Sequence, residues 1–146
     1  MRKHLLLGAA VLLATAGLAR AADAPNVVEV RQVGMALLGG DFAGIRAVVA
    51  AKGDVKTLEG PAKAMQRWAA LVPAVFPAGS NTGSNTKANP EVWTDMVGFH
   101  KAAAAMGEAA GKMVELAKAG DTAGVEAQVK VLGGTCAGCH NTYKAK

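Results

Sequence analysis

The chain has 146 residues, 51% of them hydrophobic and 4% aromatic, with a formal net charge of +5. That length supports one domain with a substantial core, and not two. The charge has none of the clustered basic character that nucleic-acid binding requires.

Met1 to Ala21 has the form of a secretory signal peptide. Arg2 and Lys3 give a positive start, Leu5 to Leu18 is apolar, and Ala19-Arg20-Ala21 fits a small-x-small cleavage site. The apolar run is shorter than the ~20 residues that span a bilayer, which favours cleavage over anchoring. The expected organisation is a cleaved signal at 1–21 and a single domain at 22–146. Because Arg2, Lys3 and Arg20 leave with the signal, the remaining chain is nearer neutral than the whole.

Apolar stripes at heptad spacing then recur, with no alternating strand pattern. The first runs Val28, Met35, Leu38, Phe42, Ile45 and Val49, with Arg31 in the one slot that is not apolar. Gly53 is the expected C-terminal cap of this helix, and Gly39-Gly40 weakens its middle by roughly 1 kcal/mol per glycine. A second stripe, Val55, Leu58, Ala62, Met65, Ala69 and Val72, begins after Asp54 as N-cap and stops near Pro73.

Pro77 to Pro90 carries Gly, Ser, Asn and Thr, and reads as a surface loop. Asn89-Pro90-Glu91 is a helix start, with a cap, a proline at the first helical position and an acid in the first turn. Behind it Val92, Met96, Phe99, Ala103, Met106, Ala110, Met113 and Ala117 predict one long helix closed by Gly120. Met65, Met96, Met106 and Met113 read as packing, Trp93 as a core plug and His100 as a surface residue. The last stripe is Val125, Val129, Leu132, Cys136, Cys139 and Tyr143. Four amphipathic helices with two tight connections and one long one predict an all-α fold, an antiparallel four-helix bundle.

The last stripe contains Cys136-Ala137-Gly138-Cys139-His140, the C-x-x-C-H of covalent c-type haem attachment. On a helix, thiols at i and i+3 lie on one face roughly 5–6 Å apart, suited to the two haem vinyl groups. The next residue, His140, offers a nitrogen to the iron. A redox disulfide would expect a βαβ setting, and a structural zinc site would need four ligands. Because the cysteines occupy core positions, the haem c belongs inside the bundle. Export together with this motif points to a periplasm, where free thiols would oxidise.

With these residues in hand, the chain resembles cytochrome c′ and the class II c-type cytochromes. The likeness rests on the C-terminal C-x-x-C-H with Tyr143 and Lys144 behind it, and on the early Arg31-Gln32-x-x-Met35. Val75-Phe76-Pro77 before the loop and Pro90-Glu91-Val92-Trp93 after it also match. The resemblance implies a five-coordinate iron held by His140 alone, binding nitric oxide and carbon monoxide, carrying electrons, or both. It aligns Met35 with the apolar lid on the open face, Arg31 and Gln32 with positions near the propionates, and Lys144 with a proximal arginine. Lysine keeps that charge but loses the planar fork. Phe76 is expected against the haem plane. Some class II relatives ligate a methionine at the position of Met35, so a six-coordinate electron carrier stands as the second reading. A haem enzyme, a peroxidase or nitric oxide reductase, would want a distal acid or base that the sequence does not place; the expected protein turns nothing over.

The expected partners are small gases, an unknown redox protein and a second copy of the chain. A second apolar stripe, Val27, Val30, Gly34, Leu37, Gly44 and Val48, suggests a homodimer through the first helix, joined by Trp68 and Leu71 of the second. A monomer with that stripe packed on its own neighbours is the alternative.

Overall fold

The computed structural model describes residues 26–81 and 86–146, so the expected signal segment lies outside the described residues. Asn26 opens α1 (Val27–Ala50), its side chain accepting a 2.9 Å hydrogen bond from the Val28 N–H. The helix stops at Ala50, and Lys52 rather than Gly53 takes the left-handed conformation, with φ 52°. Gly53 serves close approach instead: a Cβ there would sit 3.2 Å from Val48 Cγ1, while its N–H reaches the Val48 carbonyl at 2.9 Å.

Asp54 caps the second segment as expected, but its first turn, Val55–Leu58, is a 3-10 turn. α2 proper runs Glu59–Leu71, with Pro61 in its first turn, where the missing N–H has no helical partner to lose. A second 3-10 turn, Val72–Val75, contains Pro73.

The third segment corrects the sequence reading. Heptad spacing predicts one helix through Val92, Met96 and Phe99, yet the chain forms a one-turn α3 (Glu91–Thr94) and a separate α4 (Met96–Ala119). Between them Asp95 leaves the helical region at φ −121°, ψ 59°, and its carboxylate caps α4 by accepting from the Gly98 N–H at 3.0 Å. The break rotates Met96 outward, so this residue is 54% exposed and is not core. Gly120, at φ 72°, closes α4 in a left-handed cap. Asp121 opens α5 (Thr122–Tyr143) by accepting from the Gly124 N–H at 2.9 Å.

The four long helices form an antiparallel bundle in which α4 packs along both α2 and α5. Met65, Met113, Leu58, Leu132, Ile45 and Val125 are fully buried, each worth about 1.5–3 kcal/mol in removed apolar surface. α1 leans on this frame more lightly, burying only Arg31, Gly34 and Ile45. It is long and apolar enough to cross a membrane by length and composition alone, but here it is a bundle helix with a buried arginine on its inner side.

Gly34 departs from its expected place on an outer stripe. Trp68 of the same chain packs onto it, so closely that a Cβ at Gly34 would overlap the indole. Trp68 therefore joins α2 to α1 within the chain, and on these two helices Val33, Leu37 and Leu71 are left exposed. The segment before α3 and the C-terminus close that end of the bundle. Ala88 pairs with Lys144, Asn89 N–H reaches the Tyr143 carbonyl at 3.0 Å, and Ala145 N–H reaches the Lys87 carbonyl at 2.8 Å.

Candidate functional site

The last turns of α5 carry Cys136, Cys139 and His140, which helical spacing sets on one side of the helix. They line two cavities. The outer one, about 370 Å³, is lined by Arg31, Gln32, Met35, Phe76, Cys139, His140 and Lys144, with Lys87, Phe99 and Tyr143. The inner one, about 170 Å³, takes Cys136 together with Leu38, Phe42, Met65 and Met106. Met35, Cys139 and His140 line both, so every site residue expected from the sequence borders this one region between α1, α4 and α5.

Burial pushes the thiols of Cys136 and Cys139 above the ordinary range, and Cys136 adds to the effect on Cys139. Cys136 Sγ lies 3.5 Å from the Leu132 carbonyl one turn back. Burial, and then the Lys144 cation, hold the His140 imidazole below its usual range. Both effects favour the neutral ring, the form that can ligate a metal.

Arg31 is the most informative residue. It is 3% exposed, and its guanidinium donates to Ser80 Oγ at 2.9 Å, to the Ser80 carbonyl at 2.8 Å and to Thr86 Oγ1 at 2.6 Å. Phe76 lies 4.7 Å beneath it and Trp93 5.8 Å away, near enough for cation–π attraction. All these partners are neutral, and among the described residues the ion pair is Lys63 with Glu59, far along the chain. A buried cation with no counter-charge among the described residues is costly, and burial accordingly lowers its pKa.

That imbalance tests the fit of a haem. Two thiols at i and i+3, an imidazole beside them, apolar walls and a buried cation bordering the same cavity suit a porphyrin whose carboxylates meet Arg31. The residues fit the group.

Trp93 closes the bundle end, its indole N–H donating to the Phe76 and Pro77 carbonyls at 3.2 and 3.0 Å. Ser80 and Thr86 were invisible to periodicity because they hold Arg31 from a loop. Tyr143 is 8% exposed and borders the outer cavity; its spacing of three from His140 was the signal that could have found it. Met65 and Met106 line the inner cavity, while Met113 is buried in the core away from both.

The family model for cytochrome c′ matches residues 26–144. Cytochrome c′ of Rhodospirillum rubrum is 30% identical, over 99% of each chain. A cytochrome c-556 of Agrobacterium tumefaciens is 34% identical, over 82% of this chain and 97% of that one. Among solved structures, cytochrome c′ of Rubrivivax gelatinosus superposes with a TM-score of 0.73 at 32% identity, covering 81% of this chain and 94% of that one. A variant of the Alcaligenes xylosoxidans protein, solved as its nitric oxide complex, gives 0.74 at 27% identity, over 83% and 94% of the two chains. Another variant of that protein was solved with carbon monoxide bound. The chain belongs to the cytochrome c′ family, and its cofactor is a covalently attached c-type haem.

Proposed function

We propose that the protein is a periplasmic gas binder, a single domain at 22–146 freed from a signal at 1–21, with a five-coordinate haem that takes nitric oxide and carbon monoxide. Cys136 and Cys139 anchor the ring, His140 is its sole axial ligand, and Met35 lids the open face. Arg31 and Gln32 serve the propionates, Phe76 packs on the ring, and Lys144 keeps a positive charge beside His140. The iron, once held, supplies an open coordination position.

The observation that carries this reading is the lining of the inner cavity. Apart from His140, the cysteines and Thr135, its described walls are apolar, built by Met35, Leu38, Phe42, Val72 and Met106 among others. Such walls admit small neutral molecules and hold no general acid for cleaving an O–O bond, which supports binding over turnover. Titrating the ferrous protein with nitric oxide and with carbon monoxide should change its visible spectrum at one equivalent per haem. A spectrum indifferent to both gases would overturn the reading.

Met35 also supports a second one. It borders the same two cavities as His140, and a thioether is a known haem ligand. With Met35 on the iron the protein would be a six-coordinate electron carrier, serving a redox partner instead of a gas. In either case we infer a homodimer through α1 and α2, supported by the exposed Val33, Leu37 and Leu71.

A further inference from the structure

The break in the third segment coincides with a contact that explains it. Asp95 divides its carboxylate between two helices. Oδ1 accepts from the Gly98 N–H at 3.0 Å and caps α4, while Oδ2 accepts from the Tyr143 hydroxyl at 2.8 Å, on the last residue of α5. An uninterrupted helix could not present the side chain to both. Gly98 leaves the space, since a Cβ there would overlap both Asp95 Oδ2 and the Tyr143 hydroxyl.

Tyr143 lies one helical turn beyond His140 and borders the same cavity as Cys139 and His140. Its ring packs edge-on against Phe99 at 5.2 Å, and Phe99 against Phe76 at 5.0 Å. The final turn of a helix ordinarily frays, because its last carbonyls have no helical donors. Here Asn89 caps the backbone, its side-chain nitrogen donating to the Thr142 carbonyl at 2.8 Å. The phenol ties down the side-chain face.

We propose that Asp95 and Tyr143 form a clasp that positions the His140 imidazole toward the haem iron and thereby sets the strength of the axial bond. The inference rests on His140 as the axial ligand. These are positioning residues: neither touches the iron, and they act by holding the turn on which His140 stands. The hydrogen bond also holds the phenol in its protonated, donating form, with its pKa pushed up to about 12.

The test uses the haem-loaded protein with Tyr143→Phe, Asp95→Ser and both together. Phenylalanine keeps the packing on Phe99, and serine still caps α4 but has no second polar atom for the Tyr143 hydroxyl, so the bundle is retained and the bond is lost. The readouts are the iron–histidine stretching band of the ferrous protein by resonance Raman and the reduction potential. Each single variant should move the band to lower frequency and shift the potential in a common direction, and the double variant should move neither further, because one bond is lost in all three. Variants that lower the melting temperature while band and potential stay at wild-type values would overturn the clasp, as would additive shifts. If the wild-type protein itself shows no such band, five-coordinate ligation by His140 fails instead. The clasp is then judged on the potential alone, by the same non-additivity.

Discussion

α1 and α4 are each 24 residues long and each carries an apolar stripe at heptad spacing, yet they do different work. α4 buries eight residues, from Phe99 to Ala117, and is the post on which α2 and α5 pack. α1 buries three, one of them an arginine. Its inner residues Met35, Leu38 and Phe42 border the cavities, and its outer residues Val33 and Leu37 are exposed. The same sequence pattern thus specifies a core in one helix and, in the other, the wall of a cavity that on the proposed function holds the haem. Periodicity reports which residues share a face; it does not report what that face meets.

The largest expected effect follows from removing what α1 faces. Replacing Cys136 and Cys139 together by serine should abolish haem that survives acid–acetone extraction. Without the ring, amide exchange in α1 should become fast while α4 stays protected, because α4 has its own packed neighbours. Equal loss of protection in the two helices would refute the contrast.

A pair of truncations sharpens it. Met113→Ala, in the fully buried face of α4, should cost about 2–5 kcal/mol in urea unfolding. Leu37→Ala, at a residue 66% exposed on α1, should cost less than about 0.5 kcal/mol within one chain. Leu37→Asp should instead sediment as a monomer where, on the proposed interface, the wild type sediments as a dimer. An unchanged dimer would place the interface elsewhere.

Much of this was legible in the sequence, and the exceptions share a cause. The C-x-x-C-H and the caps at Asp54, Gly120 and Asp121 are local signals, complete within a few residues. The break at Asp95 is not local: the partner of that carboxylate, Tyr143, is 48 residues away, and the heptad runs through the break undisturbed. Arg31 was legible as an anomaly in its stripe, but its partners Ser80 and Thr86 lie 49 and 55 residues on, in a loop without period. Gly34 could be placed on an outer stripe because nothing nearby in sequence announces that Trp68 fills it.

A smaller effect concerns pH at the start of α4. The Tyr143 hydroxyl, and then the Gly98 N–H, hold the Asp95 carboxyl below the usual range. Its contribution to stability is therefore complete above the ordinary carboxylate pKa of about 4 and lost as pH falls through the depressed value. Tyr143 behaves oppositely: its contribution is complete below about pH 10 and lost as pH rises through about 12. Thermal melts of wild type and Asp95→Asn should differ across the intervening range and converge in acid. A difference that persists undiminished in acid would contradict the assignment.

The central claim is that the inner face of α1 is a lid over the iron, with Met35 beside it and not bonded to it. The ferric visible spectrum of the wild-type protein, set beside that of Met35→Ala, tests this most directly. Both spectra should be high-spin, with faster carbon monoxide binding in the ferrous variant. A low-spin wild-type spectrum with a sulfur-to-iron charge-transfer band, abolished in Met35→Ala, would contradict it.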